Sequence, residues 1–183
     1  GLTLQNGDAT SQTSGNGGAI EVVTSTVSIS KTLVQSSTSS SGGAIWSSGT
    51  VTISRTSFIS NTASQDGGAI FNDGELTISQ SSIISNSAAM DGGGIYNDQI
   101  LTAINSTFSG NVADIVSGEG GGLMNNDTAD LDHVTIANNV AALGAGVGST
   151  ASAGINTVLY ATLIVSNSGG NDLQLGASGT PTN

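Results

Sequence analysis

Acidic side chains are the clearest candidates for chemistry, because the chain has 13 Asp and Glu residues against two Lys and Arg. Three of the acids, Asp66, Asp91 and Glu119, each come directly before a pair of glycines. Stacked carboxylates repel one another unless a cation, a proton or solvent relieves them, and calcium prefers several carboxylate and carbonyl oxygens. The pattern raises the hypothesis of weak calcium binding at these residues, with a solvated acidic edge as the alternative. No other cofactor is expected.

Catalytic sets are weak in this sequence. The basic residues and their equivalents recur at one repeat position, which we interpret as a solvated turn: Lys31, Arg55, Gln80, Asn105 and His133. His133 is the only histidine, so no Ser-His-Asp set is evident. Carboxylate pairs at glycosidase spacing arise on any stack of coils and prove little. We expect that the protein is not an enzyme and has no catalytic residues. A polysaccharide lyase or hydrolase is the less favoured alternative.

A candidate interaction surface comes from three aromatic residues at one repeat position, Trp46, Phe71 and Tyr96, which we call the aromatic stripe. Each follows an Ile that begins a predicted strand. If the Ile side chains point inward, the aromatic side chains point outward, together with Glu21 and Met124 at the same position. Exposed apolar stripes usually mark a partner, a covering loop or a sugar-binding track.

A repeat positions all of these residues. Gly-Gly-Ala-Ile occurs at 17–20, 42–45 and 67–70, and variants start at Gly92, Gly120 and Gly144, so that the starts are 25, 25, 25, 28 and 24 residues apart. An apolar residue three before an Asn follows thirteen residues after the last residue of a copy, as in Phe58 and Asn61. A fixed period in the twenties is the mark of a repeat architecture.

The apolar residues within each repeat alternate with a period of two, which predicts strands rather than helices. We predict an all-β, single-stranded, right-handed parallel β-helix of six to seven coils with ~25 residues each. The sequence lacks the consensus of a leucine-rich repeat, and the blade of a β-propeller needs a longer repeat than this one. The β-helix is expected over residues 1–170, and residues 171–183 are expected to form a tail or a partial coil.

Stacked coils place equivalent residues in columns. The recurrent Asn residues predict a buried asparagine ladder, in which amides bond to backbone groups and to each other, at Asn61, Asn86, Asn111 and Asn139, with Asn167 as its extension. Asn72 and Asn97, with Ser47 and Asn125, form a second candidate ladder. The glycine pairs are expected to supply positive φ at a corner or close backbone approach.

The charge balance excludes several functions. With a net charge of −11, the chain lacks the clustered basic residues that nucleic acids or anionic membranes require. It has no cysteine for a disulfide or a thiolate site. No apolar run approaches the ~18 residues of a membrane span, so membrane insertion by this segment is not expected. A partial Thr array, at Thr52, Thr77 and Thr102, is interrupted by Glu75, Ile100 and Asp130 and does not favour ice binding.

The two repeat marks resemble the repeats of chlamydial polymorphic outer-membrane proteins, which use Gly-Gly-Ala-(Ile/Leu/Val) and Phe-x-x-Asn. They are also similar to right-handed β-helix regions of large bacterial surface proteins, including those with a choice-of-anchor domain. The resemblance covers about residues 1–170. It implies export to the cell surface and a role in adhesion, display or assembly, and it implies no catalytic residues.

These observations favour an extracellular or cell-surface structural protein, either a rod or the subunit of a head-to-tail filament. The ends of a β-helix expose unpaired strand edges, and neither end shows a charged cluster or a helix that would cap it. Either the caps lie outside this sequence, or the ends meet other copies head to tail, and we expect end-to-end self-association. The alternative is an adhesin or a glycan-binding passenger domain, which would use the aromatic stripe to bind glycans on a host or neighbouring cell.

Overall fold

The structure is a computed structural model, which describes residues 1–12, 15–149 and 156–174 of the chain. Its regular elements are short β-strands. The described chain begins with β1 Leu2–Gln5, β2 Ile20–Val22, β3 Thr26–Ser30, β4 Thr32–Gln35 and β5 Thr38–Ser39. It continues with β6 Ile45–Ser47, β7 Thr50–Ser54, β8 Ser57–Ile59, β9 Thr62–Ala63, β10 Ile70–Asn72, β11 Glu75–Ser79, β12 Ser82–Ile84 and β13 Ser87–Ala88. Then come β14 Ile95–Asn97, β15 Ile100–Ile104, β16 Thr107–Ser109, β17 Leu123–Asn125, β18 Thr128–Asp132, β19 Thr135–Ala137 and β20 Val140–Ala141. The last strands are β21 Val147–Ser149, β22 Asn156–Tyr160, β23 Leu163–Val165, β24 Ser168–Gly169 and β25 Leu173–Gln174.

The strands assemble into three long parallel sheets that run the length of the stack. Sheet 1 has the order β2-β6-β10-β14-β17-β21-β25, sheet 2 the order β3-β7-β11-β15-β18-β22, and sheet 3 the order β1-β4-β8-β12-β16-β19-β23. Two short corner sheets, β5-β9-β13 and β20-β24, complete it. The architecture is thus a β-solenoid of about six turns with ~25 residues per turn, which confirms the predicted β-helix. The prediction that the coils wind in a right-handed sense stays a prediction.

The C-terminal boundary of the β-helix domain at residue 170 also stays a prediction. Strand β25 pairs with β21, with Leu173 opposite Val147, and residues 175–183 lie outside the described part of the chain. In that part no helix has the length and apolar character that crossing a bilayer requires.

Equivalent residues stack in exact register and fill the core layer by layer. Ile70 lies between Ile45 and Ile95 in sheet 1, and all three are fully buried. In sheet 3, Phe58, Ile83, Phe108 and Ile136 form the matching column, with no exposed side-chain surface. The period-two alternation read from the sequence therefore places one apolar side chain of each pair inside.

The glycine pairs fulfil both expected roles, one role for each glycine. The first, such as Gly67 with φ of +67°, lies in the left-handed region that disfavours other residues. The second lies against the next coil, because a Cβ on Gly68 would be 2.1 Å from the carbonyl oxygen of Gly93. The sequence motif is thus a corner that turns tightly and also stacks closely.

The basic column is a turn, as predicted. Its members lie directly after a strand of sheet 2, are exposed, and have φ between 48° and 53°: Lys31, Arg55, Gln80, Asn105 and His133. A left-handed turn outside the sheets keeps these side chains in solvent, so the column contributes no charge to the core.

Candidate interaction surface and the ladders beneath it

The asparagine ladder is present along the corner between sheets 3 and 1. Each side-chain amide Nδ2 donates a hydrogen bond to Oδ1 of the Asn one coil further on, at 2.9 or 3.0 Å, from Asn61 through Asn86, Asn111 and Asn139 to Asn167. The backbone N–H of each Asn donates to the same Oδ1 at similar distance. The predicted ladder and its extension to Asn167 are confirmed.

Every amide in the middle of the ladder is saturated. The Nδ2 of Asn111 also donates to the carbonyl oxygen of Ile83 at 3.0 Å, so that it makes two bonds while its Oδ1 accepts two. Because these groups are completely buried, any unmade bond would cost the full desolvation of a polar group. The ladder therefore needs an acceptor where the Asn column stops.

Asp172 supplies that acceptor. The sequence alone had not identified this residue. Its Oδ1 accepts hydrogen bonds from the backbone N–H and from Nδ2 of Asn167, at 2.9 and 2.8 Å. In the other coils, Oδ1 of the next Asn in the column accepts the two equivalent hydrogen bonds. A carboxylate accepts such bonds more strongly than a neutral amide does. The signal was the break in the pattern, since an Asp replaces the Ala or Gly found at this position in the other coils.

The second ladder also forms, at the C-terminal ends of the sheet 1 strands. Nδ2 of Asn72 donates to Oδ1 of Asn97, and Nδ2 of Asn97 donates to Oδ1 of Asn125, both at 2.7 Å. Asn125 in turn donates to the hydroxyl of Thr157 at 2.9 Å. Ser47 pairs with Asn72 in register. One ladder thus lies at the corner before the strands of sheet 1 and the other at the corner after them. The aromatic stripe lies between the two ladders, on the outer face of sheet 1.

The three acids before the glycine pairs stack on successive coils, as expected. Oδ1 of Asp66 accepts a hydrogen bond from the backbone N–H of Asp91 at 3.0 Å, and Oδ1 of Asp91 accepts one from the N–H of Glu119 at 2.7 Å. The carboxylates of Asp66 and Asp91 each hold the backbone of the following coil in this way. We call Asp66, Asp91 and Glu119 the acidic column.

Burial and mutual repulsion act on this column. Burial raises the pKa of Asp66, the hydrogen bond from the Asp91 amide opposes the rise, and the charges of Asp91 and Asp98 add to it. Burial and the charge of Asp91 likewise raise the pKa of Glu119. No group of three or more His, Asp or Glu side chains with a metal-binding arrangement occurs among residues 1–12, 15–149 and 156–174. Calcium binding here stays a hypothesis.

The rings of the aromatic stripe stack on one another along the coil axis. The ring centroids of Trp46 and Phe71 are 6.4 Å apart with an interplanar angle of 15°, and those of Phe71 and Tyr96 are 4.9 Å apart at 11°. The side chains point outward as predicted, but they are only partly exposed. The Phe71 ring lies between the other two, so its edge is what it presents to solvent, whereas Trp46 and Tyr96 each stack against one ring of the stripe.

Tyr96 ends the stripe in an acidic environment. Its hydroxyl oxygen accepts a hydrogen bond from Nδ2 of Asn126 at 2.6 Å. Burial raises the pKa of Tyr96 to about 12, and the charges of Asp66 and Asp98 contribute to the rise. Asn126, which also donates to Asp98 at 3.3 Å, had been given no role from the sequence. It follows the second ladder directly, which is the signal that could have identified it.

The prediction that Met124 is exposed in the outward column is wrong. The residue was predicted to be exposed beside the stripe, but its side chain is buried. The next residue in the column is Gly148, and a Cβ there would meet the Met124 sulfur at 3.2 Å. A flexible thioether fills the space that the missing side chain leaves. The stripe therefore ends at Tyr96.

Comparison with known proteins finds a matching repeat in two segments of the chain. Residues 55–73 and 80–98 match the Chlamydia polymorphic membrane protein repeat. The two segments contain the ladder residues Asn61 and Asn86, the acidic-column residues Asp66 and Asp91, and the glycine pairs. The chain is a β-helix protein that carries this repeat. The resemblance read from the glycine and Phe-x-x-Asn marks is thus confirmed.

The polymorphic membrane protein repeat indicates a surface-associated β-helix protein. The segments that match are those in which the ladder and the glycine corners are most regular, so the repeat specifies the scaffold. No curated protein and no solved structure matched the chain.

Proposed function

We propose that the protein is a structural rod at a cell surface and that its molecules associate head to tail into a filament. The observation that carries the proposal is the burial of the core columns. The core is closed within the stack, whereas the partly buried apolar residues that pack against it lie in the first and last coils. At one end these are Leu4, Ala19, Ile20 and Val27; at the other end they are Leu159, Ile164 and Leu173.

The edges of the sheets support the same proposal. Strands β1, β2 and β3 are edge strands at one end, and β22, β23 and β25 are edge strands at the other. An edge strand presents a row of unpaired backbone N–H and C=O groups, which is a template for another strand. Because the strand pairings in sheets 1 and 3 are parallel and in register, a further strand in either sheet would meet the same edge that each inner strand meets.

Negative-stain electron microscopy at increasing protein concentration tests this function. We expect fibres of one β-helix in width for the wild type. Ile164→Lys, at the C-terminal end of the core column, should give short single particles. Ser109→Lys is the matched control, because it places the same charge on the outer face of β16 in the middle of the stack, and it should leave fibres intact. Short particles for the wild type at every concentration would overturn the proposal.

Adhesion through the aromatic stripe is the second candidate function, and two features favour it: the rings are partly exposed, and the charges of Asp66 and Asp98 act on the Tyr96 hydroxyl. The stacked arrangement limits how a glycan would bind, because the faces that sugars prefer to cover are in contact with neighbouring rings. A ligand would reach ring edges and the carboxylates of Asp66 and Asp98. Binding of a glycan array that is lost in Trp46→Ser and Phe71→Ser, with unchanged melting temperature, would establish this function. We propose no catalytic activity.

A further inference from the structure

We propose that a corner on the side of the β-helix docks a protein partner whose aliphatic side chains are flanked by Lys or Arg. The surface consists of Met90, Ile115, Val116 and Leu143, which we call the apolar corner, and these residues lie on three successive coils. It is found where the chain turns from sheet 3 into sheet 1. Because it lies on the side of the stack, this inference goes beyond the proposed filament and does not depend on the ends of the coils.

An insertion in the repeat builds the centre of the apolar corner. The glycine marks at Gly92 and Gly120 are 28 residues apart, whereas the three preceding intervals are 25 residues each. The additional residues lie in the turn that follows Asp114. Val116 and Ile115 in this turn have exposed fractions of 81% and 68%, the largest of any bulky apolar side chain in the described part of the chain. The insertion therefore places two aliphatic side chains in solvent, although the neighbouring coils close without such residues.

Hydrogen bonds hold the inserted turn in one conformation. Oδ1 of Asp114 accepts from the backbone N–H of Val116 at 3.2 Å, and Oδ2 accepts from the N–H and the hydroxyl of Ser117 at 3.2 and 2.8 Å. The N–H of Gly118 donates to the carbonyl oxygen of Asp114 at 3.0 Å. The bonds from Ser117 and Val116 also lower the pKa of Asp114, so its carboxylate is charged at neutral pH. A turn that is already ordered loses little conformational entropy when a partner binds.

The coils on either side extend the apolar surface. The N–H of Asp114 donates to the carbonyl oxygen of Met90 at 3.0 Å, and the N–H of Leu143 donates to the carbonyl oxygen of Gly118 at 3.2 Å. Exposed side chains therefore flank the inserted turn on both sides. The described inner coils expose five bulky apolar side chains, of which four form the apolar corner and the fifth is Ile100. Exposed apolar residues that gather in one place mark an interaction site, whereas single ones are ordinary.

The charges around the apolar corner determine the kind of partner. Three carboxylates surround it: Asp91 and Asp114 are sequence neighbours of its members, and Glu119 pairs with Leu143 in an isolated bridge. The chain has no Lys or Arg after residue 55. An apolar centre with an anionic margin is complementary to an apolar partner surface with a cationic margin. A second copy of this corner or an anionic lipid surface would instead bring like charges together.

Deletion of residues 115–117 tests the surface. It shortens this coil to the 25 residues of the preceding coils and leaves the net charge at −11. The probe is a fluorescein-labelled peptide of Leu and Lys in amphipathic helical order. Fluorescence anisotropy should show binding to the wild type that is at least about tenfold weaker for the deletion variant, because burial of even one Ile or Val side chain gives a change of that size. Added salt should weaken binding to the wild type, because it screens the carboxylates.

Three controls accompany the deletion. Ile115→Ser with Val116→Ser keeps the length of the turn and the carboxylate of Asp114, and should lose binding as the deletion does. Ile100→Ser removes an exposed Ile from the outer face of β15, away from the corner, and should bind like the wild type. A peptide with Glu in place of every Lys should not bind. Melting curves by circular dichroism establish that each variant is folded.

Absence of binding between the wild type and the Lys peptide would overturn the proposal. Equal binding by the wild type and both turn variants, or an equal loss in Ile100→Ser, would show that the apolar corner is not the docking surface. Binding of the Glu peptide as tightly as the Lys peptide would overturn the partner's charge. Co-sedimentation of the wild type with phosphatidylcholine vesicles that is lost in both turn variants, without binding of the Lys peptide, would assign the corner to a membrane and overturn a protein partner.

Discussion

The coil formed by β18 and β19 and the coil formed by β22 and β23 share strands, register and residue types, yet they differ in burial. Leu131 pairs with Leu159, and Ile136 with Ile164. The first residue of each pair is fully buried, while the second is only partly buried. The difference is a neighbour: the inner coil is covered on both sides, and the last coil on one. In this fold a side chain is buried by the coils before and after it, so within the described residues the apolar columns are least buried in the first and last coils.

The asparagine ladder allows the sharpest test of this comparison. Asn111→Ala removes four hydrogen bonds in a fully buried environment. The backbone N–H of Asn86 loses its side-chain acceptor, and Nδ2 of Asn86 keeps only its bond to the carbonyl oxygen of Phe58. We expect a loss of about 4 kcal/mol in the free energy of unfolding. Asn167→Ala removes the same number of bonds where water has access, and should cost about 1 kcal/mol. Urea unfolding followed by circular dichroism measures both; equal losses would contradict the comparison.

The apolar column gives a second test with identical chemistry at both sites. Ile136→Ala leaves a cavity in the closed core and should destabilise the monomer by about 3 kcal/mol. Ile164→Ala removes the same atoms from the half-covered end and should cost about 1 kcal/mol. Thermal unfolding at low concentration separates the two. If Ile164→Ala were as costly as Ile136→Ala, the last coil would be as closed as the inner ones.

Glycine corners distinguish close stacking from backbone conformation. Gly68→Ala puts a Cβ against the backbone of the next coil and should cost about 2 kcal/mol or more. Gly110→Ala tests the backbone conformation instead: its φ of +66° disfavours alanine, whereas Gly68 has no positive φ, and the atom nearest to the new Cβ at Gly110 would be 3.5 Å away. We expect about 1 kcal/mol for this variant, measured in the same denaturant series. A cost at Gly68 below that of the Gly110 variant would contradict the close stacking assigned to the second glycine of the pair.

The acidic column predicts the smallest effect, a rise in stability on mild acidification. Because burial raises the folded-state pKa of Asp66 and Glu119, the folded chain takes up protons before the unfolded chain does. The melting temperature should therefore increase as the pH falls from 7 towards the ordinary value of 4.5 for Glu. Asp66→Asn, whose Oδ1 can still accept from Asp91, should show a smaller increase. A melting temperature that falls steadily over this range in the wild type would contradict the assignment.

Much of this architecture could be predicted from the sequence because the repeat is nearly regular. The Gly-Gly mark at Gly67 and the spacing from Phe58 to Asn61 specify a corner, a strand and a ladder position, and stacking then follows from the constant period. Burial along the columns followed from the period-two alternation.

The remaining features depend on relations between coils that a single repeat does not contain. Met124 is buried because Gly148, one coil away, lacks a side chain. The rings of Trp46 and Phe71 cover each other's faces, which their outward direction alone does not reveal. Asp172 lies five residues after Asn167 and takes the place of the amide oxygen that the next coil would supply. Its role becomes apparent only where the Asn column ends.

Hydrogen–deuterium exchange as a function of protein concentration tests the central claim most directly. The claim is that the end coils are completed by another copy of the chain. It predicts that the amides of β1, Leu2–Gln5, and of β23, Leu163–Val165, become more protected as concentration rises, while those of β12, Ser82–Ile84, in the middle of sheet 3 stay protected throughout. Exchange at both end strands that does not change with concentration would contradict the account.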